Sequence, residues 1–209
     1  MKERGILFSA PMVRALLAGT KTQTRRALKR QPWASCSIEE GNEGESPFVY
    51  SALHGAGPGH EVEESRTPCR CPYGMPGDRL WVRETWAQPT TLDPGPTFYR
   101  ADYPACAAGF SNLPPPDEIT WKPSIHMFRK DSRILLEIVS VRVERLRDIS
   151  EADAAAEGWP RRPEVSDDPQ VHADAARDWY MDLWEQINGV GSWGANPWVW
   201  VVEFRRIGS

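Results

Sequence analysis

Arg133-Ile134-Leu135-Leu136-Glu137-Ile138-Val139-Ser140-Val141-Arg142-Val143-Glu144-Arg145-Leu146 carries the strongest strand signal in the chain, and the fold class turns on it. Leu135, Val139, Val141 and Val143 fall on one face, and Ile134, Leu136 and Ile138 on the other over the first half. A strand that is apolar on both faces early and on one face later is expected to bend around a barrel. Toward the C-terminus, Asp148-Ile149-Ser150-Glu151-Ala152-Asp153 reads as a capped helix start, and the alanine-rich helix from Glu151 to Glu157 stops at Gly158. Glu157 then sits at the negative end of its helix, a mildly unfavourable place for a carboxylate. Either a functional role or an arginine partner such as Arg161 offsets that cost. Ala176, Trp179, Tyr180, Leu183, Trp184 and Ile187 repeat at helical spacing over 172–187. The last strand runs from Trp198 to Phe204, with Trp198, Trp200, Val202 and Phe204 on one face.

Toward the N-terminus the chain is less regular. Segment 31–76, rich in Gly, Pro, Ser and Glu, and segment 87–120, with Pro114-Pro115-Pro116, read as two long loop insertions, with short strands expected at Phe48-Val49-Tyr50 and Phe98-Tyr99-Arg100. Between them, Arg79 to Trp86 alternates as a strand, with Leu80, Val82 and Glu84 on one face. Glu84 is either an end-of-strand charge, solvated or paired with an arginine, or a site carboxylate. Trp121 to Lys130 mixes aromatics and cations with His126, which suits stacking on bases and contact with phosphates. The same segment also reads as a loop packed over the end of a barrel, with His126 in a local hydrogen bond.

The first residues predict a short strand at Ile6-Leu7-Phe8. A helix follows, with Ser9 as N-cap, Pro11 in its first turn, Met12, Val13, Leu16 and Leu17 facing a core, and Gly19 ending it. Gly19-Thr20-Lys21-Thr22-Gln23-Thr24-Arg25-Arg26 is then expected to emerge on a turn. With Lys29 and Arg30 it puts five cations within ten residues of a chain whose net charge is -4. The acidic balance argues against bulk polyanion binding, so any nucleic-acid contact is local. The stretch is either a phosphate grip or a solvated basic turn.

At 209 residues, 40% hydrophobic and 26% charged, the chain fits one domain, 1–209, carrying insertions. No stretch is long and apolar enough to span a bilayer, and the first residues lack a signal-peptide core, so no membrane partner and a cytoplasmic location are expected. Cys69-Arg70-Cys71 has one intervening residue and no paired second half, and His126 and His172 carry no ligand spacing. No metal, no cofactor and reduced thiols are expected. Ten tryptophans mostly fill core, with Trp193 on its glycine-flanked turn a candidate for stacking on a base.

Taken together, Ala15 to Arg26, the strand opener Pro76-Gly77-Asp78-Arg79-Leu80-Trp81-Val82, the long strand running into Leu146 to Gly158, and the closing strand resemble the ASCH family. This family lies within the PUA-like superfamily of small β-barrels that handle RNA. The longer ASCH proteins of bacteriophage and prophage genomes are more similar still, sharing segments like Pro123-Ser124-Ile125-His126-Met127 and Trp193 to Trp200. The resemblance implies an α+β fold, a PUA-like mixed β-barrel with flanking helices, and a nucleoside or RNA ligand. Small bacterial members hydrolyse the amide of 4-acetylcytidine with a lysine, a threonine and a glutamate. The matching positions here are Lys21, Thr24 and Glu157, with Gly19 and Thr22 completing the pattern. Other members bind or cleave RNA, so a non-catalytic RNA-binding module and a ribonuclease are the alternatives. Chemically, a threonine hydroxyl needs a base, and a lysine serves only if its pKa falls through desolvation or nearby cations. Arg25 and Arg26 are those cations. Equally, Lys21, Arg25 and Arg26 suit a cleft that only holds phosphate, with Thr24 donating a hydrogen bond.

Overall fold

The computed structural model describes residues 1–32, 36–41, 47–54, 63–88, 96–160 and 169–208. In chain order the strands are β1 (Glu3–Leu7), β2 (Gln23–Ala27), β3 (Cys36–Glu40), β4 (Phe48–His54), β5 (Glu63–Cys69), β6 (Arg79–Arg83), β7 (Trp86–Ala87), β8 (Phe98–Tyr99), β9 (Leu135–Arg145) and β10 (Trp198–Ile207). The α-helices are α1 (Ala10–Leu17), α2 (Glu151–Ala156) and α3 (Pro169–Asn188). The main sheet has the order β1-β6-β9-β10-β2. Only β1 and β6 pair in parallel; the other three pairings are antiparallel. The fold is therefore mixed α+β around a mostly antiparallel sheet.

That sheet is open, where the sequence predicted a closed barrel. Its two edges, β1 and β2, do not pair with each other. Side chains stand where a ladder would run: Arg26 Nη2 donates to the carbonyl of Leu7 at 2.7 Å, and the Phe8 ring lies beneath the Arg26 guanidinium. The seam between these edges holds the cleft described below.

The long strand β9 differs from its predicted alternation at one residue. Against β10, Ser140 pairs with Glu203 and Ile138 with Phe204, so Val139 is left over as a bulge. One extra residue flips every later side chain to the other face. Leu136 and Ile138 before the bulge thus share a face with Val141 and Val143 after it, and Val139 is exposed. β10 is buried on both faces. Trp200, Val202 and Phe204 join α1 (through Met12, Val13 and Leu16) in one core, while Val199 and Val201 pack against Tyr180 and Trp184 of α3 in another.

Both segments predicted as loop insertions contain ordered structure. In 31–76, β3, β4 and β5 form an antiparallel sheet whose Tyr50 and Cys69 enter the first core, and Phe48 meets Trp200 edge-to-face at 5.3 Å. In 87–120, Ala87, Phe98, Ala107 and Ile119 make a small core of their own. The short strands expected at Phe48-Val49-Tyr50 and Phe98-Tyr99-Arg100 coincide with β4 and β8. By contrast, β3, β5 and the packing of Ala107 and Ile119 have no period to mark them, being single apolar residues among glycines and prolines. Among the described residues no helix is long and apolar enough to cross a membrane.

Candidate active site

Two helix ends build the site. α1 stops at Gly19, whose φ of 75° turns the chain back so that the Thr20 and Lys21 amides reach the carbonyl of Ala15. α2 starts at Ser150, whose hydroxyl accepts from the Asp153 amide, and stops at Gly158 with φ 99°. A Cβ at Gly158 would stand 2.8 Å from the Ala15 Cβ and 3.2 Å from the Lys21 Cβ. Glycine therefore lets the end of α2 close onto the end of α1. The Thr22 amide donates to the carbonyl of Ala156, and Lys21 and Glu157 form an isolated antiparallel bridge.

Lys21 and Glu157 meet here across 136 residues. The Lys21 ammonium donates to Glu157 Oε2 at 2.7 Å and to the Glu157 carbonyl at 2.9 Å. Both side chains are almost fully buried, at 1% and 4% exposure. Burial pushes the Lys21 pKa down; Glu157 pulls it up, and Arg26 and Arg25 push it down again. The net direction is down.

The basic stretch is a strand and not the predicted turn. Thr24, Arg25 and Arg26 pair with Val202, Val201 and Trp200 of β10. Alternation then sends neighbours to opposite sides. Arg25, with a fully buried side chain, reaches Asp153 at 2.8 Å and Glu144 at 3.0 Å through Nη2, and places Nη1 3.6 Å from Glu157 Oε1. Arg142 on β9 also contacts Glu144, Glu203 and Asp153. Although burial works against it, Arg25 and Arg142 hold the Asp153 carboxyl below its ordinary pKa. Lys21 and Arg25 are thus neutralised by carboxylates. Arg26 has no carboxylate partner among the described residues, and it shares the Phe8 ring with Lys21 at 5.4 and 5.5 Å.

These groups line a cleft of about 360 Å³. Its walls are Phe8 and Met12 on one side, Thr24 to Arg26 on another, and Tyr180, Trp184 and Ile187 of α3 on a third. Thr24 is buried in the wall, and no side-chain hydrogen bond ties it down among the described residues. Among the described residues, five more polar atoms of cleft residues lack a hydrogen bond: Arg25 Nε and Nη1, Arg26 Nε, Trp184 Nε1 and Glu157 Oε1. Buried polar atoms are rarely left so; Arg25 Nη1 and Glu157 Oε1 face each other at 3.6 Å, and the group as a whole leaves bonding capacity at the cleft for water or a ligand. Burial and the nearby Glu157 charge also push the Tyr180 phenol well above its ordinary pKa, so it stays a neutral donor.

No family model, curated protein or solved structure matches the chain. Function must be argued from geometry.

Of the residues singled out in the sequence, Lys21, Thr24, Arg25, Arg26 and Glu157 line this one cleft. Thr22 is exposed and contributes only backbone, accepting from the Phe204 amide at 2.8 Å. Glu84 lies elsewhere: it is buried in a two-pronged pair with Arg133, which grips Asp102 as well. Burial pushes the Glu84 pKa up against the pull of Arg133. His126 lines a neighbouring cavity. Trp193 is half-buried and packs edge-to-face on Tyr180 against the second core. Arg161 lies outside the described residues. Among the described residues no group of three or more His, Cys, Asp or Glu side chains is arranged to hold a metal.

The sequence reading missed Phe8, Tyr180, Trp184, Glu144, Arg142 and Asp153. The aromatic residues carry the same helical or strand period as core. The charges left one trace: Arg142 and Glu144 alternate on a strand otherwise made of aliphatics.

Proposed function

We propose that this cleft binds a nucleoside, free or within RNA, and hydrolyses an exocyclic amide of the kind carried by 4-acetylcytidine. On this reading the chain is an ASCH-type protein, and its open sheet is a PUA-like barrel whose seam has become the site. One observation carries the proposal: Lys21, Thr24 and Glu157, from three separate elements, line one cleft sized for a small ligand, with Lys21 and Glu157 joined at 2.7 Å out of water.

The pair suits acid–base work. Moving one proton along the Lys21–Glu157 bond turns ammonium and carboxylate into amine and carboxylic acid without changing the total charge. Burial, which disfavours charged forms, brings the two states closer in energy. The Lys21 amine then takes the proton of the Thr24 hydroxyl as its oxygen bonds to the acyl carbon. Glu157 gives its proton to the departing exocyclic nitrogen, and the resting ion pair returns. Water cleaves the acyl-threonine, releasing the carboxylic acid and restoring the hydroxyl. Unpaired donors of Arg25, Arg26 and Trp184 are available to the charge that develops on the acyl oxygen.

The test is cytidine release from 4-acetylcytidine by the wild type, Lys21→Ala and Thr24→Ala. Each substitution is expected to cost about 100-fold or more. No release by the wild type, or equal release by all three, overturns the proposal. A binding role without catalysis has one observation in its favour: Arg26 at the cleft has no carboxylate partner among the described residues. In that case no cytidine is released, RNA affinity falls with salt, and Arg26→Ala flattens the salt slope.

A further inference from the structure

The segment Trp121 to Lys130 is not used by the cleft, except for Ser124. It builds a second cavity, also of about 360 Å³, lined by Arg83, Trp86, Lys122, Ile125, His126, Met127 and Phe128. The two cavities are neighbours along two stretches of chain. Thr85 and Ser124 line the first, and the next residues, Trp86 and Ile125, line the second.

The second cavity has a rigid floor and a greasy, cationic rim. Trp86 and Met127 are buried at its base. Paired backbone bonds between Trp86 and Lys122, at 2.7 and 3.2 Å, tie the segment to β7, and Arg83 donates to the carbonyl of Ile125. Ile125 and Phe128 stand 56% and 65% exposed. Lys122 lies 4.7 Å over the Trp86 ring and has no carboxylate partner among the described residues. Arg83 adds a second cation and His126 an imidazole, and among the described residues no carboxylate lines the cavity. The buried Trp86 Nε1 makes no hydrogen bond. In a chain of net charge -4, an exposed aromatic sharing a cavity with Lys122 and Arg83 is a local feature that fits a ligand carrying a ring and a negative charge.

We propose that this cavity takes the nucleotide adjoining the one in the cleft, so that the ligand is single-stranded RNA and not a free nucleoside. The inference rests on the nucleoside reading of the cleft. Phe128 offers a face for a base, and Lys122 with Arg83 and His126 faces the phosphate. An acidic peptide would satisfy the cations but leave the aromatic rim without a stacking partner.

The experiment compares the affinities of cytidine, the trinucleotide UpCpU and tri-glutamate for the whole chain, none of which has an acyl amide on a base. UpCpU is expected to bind at least tenfold more tightly than cytidine. That ratio should fall about tenfold in Phe128→Ala, and Lys122→Ala should lower the slope of log affinity against log salt by about 0.7. Equal affinities for cytidine and UpCpU, or an unchanged ratio in Phe128→Ala, overturn the second site. So does tri-glutamate binding as tightly as UpCpU. If cytidine does not bind, or binds equally to Lys21→Ala, the cleft reading fails instead. Should UpCpU binding still depend on Phe128 in that case, the second site stands as an RNA contact of its own.

Discussion

Two buried carboxylates, Glu157 and Glu84, pair with Lys21 and with Arg133, and the two pairs are built to opposite rules. Arg133 closes on Glu84 with two bonds of 3.0 Å and on Asp102 with two of 2.7 and 2.8 Å, and its guanidinium stacks 4.0 Å from the Tyr99 ring. Every Glu84 oxygen has a donor, and neither Glu84 nor Arg133 lines the cleft or the cavity beside it. Lys21–Glu157 is buried more deeply, at 1% and 4% exposure against 21% for Arg133, yet it is incomplete. Glu157 Oε1 has no hydrogen bond, Arg25 Nη1 stops 3.6 Å short of it, and both residues line the cleft. A satisfied buried pair locks structure. On the proposed reading, the unsatisfied one beside the cleft is the pair that moves a proton.

The widest separation between the two should appear in stability. Arg133→Met leaves Glu84 charged and buried without a partner, and is expected to cost about 3–5 kcal/mol, read from denaturant midpoints. Lys21→Met should cost less, about 1–3 kcal/mol, because Arg25 already stands beside the Glu157 carboxylate and can close the gap. Equal losses would break the distinction.

The helix ends that set up the cleft give the next effect. Gly158→Ala forces a side chain into φ 99° and against the Ala15 Cβ, and should cost about 2–4 kcal/mol. Gly19→Ala meets nothing within 4 Å, so only the left-handed backbone resists it, at about 1 kcal/mol. Thermal unfolding of the two variants checks the order. A Gly158 variant no worse than its Gly19 counterpart would mean that the two helix ends are not pressed together.

These contrasts also show what the sequence could reveal. The glycines after two short helices were legible, because a C-terminal glycine has a local cause, and with them the positions of Lys21 and Glu157. The strand character of Thr24 to Arg26 was not. A basic run looks solvated until its counterions are known, and those of Arg25 sit 119 and 128 residues away on β9 and α2. Glu84 was ambiguous for the same reason, its partner being 49 residues distant. The bulge at Val139 had no marker either, since a valine fits both the regular strand and the break in it.

The smallest effect separates the pairs by pH alone. In the unfolded chain Lys21 titrates near its ordinary value of about 10.4. In the folded protein burial holds it lower, with Glu157 opposing and Arg26 and Arg25 assisting. Between the two values the unfolded chain keeps a proton that the folded protein has released, so this group's contribution to stability rises with pH across that window. Below the folded value the cost of burying the charge is felt in full; above the unfolded value it is gone. Tyr180, which lines the same cleft, is pushed up and stays neutral through the window. Arg133 behaves otherwise: its two carboxylates hold its proton more firmly still, against burial, and it does not titrate there. The stability difference between wild type and Lys21→Met should therefore move toward the wild type as pH rises toward the ordinary lysine value of about 10.4. The difference between wild type and Arg133→Met should stay flat over the same range. A flat line for both would make Lys21 as settled in its charge as Arg133, and a lysine that cannot release its proton cannot be the base for Thr24.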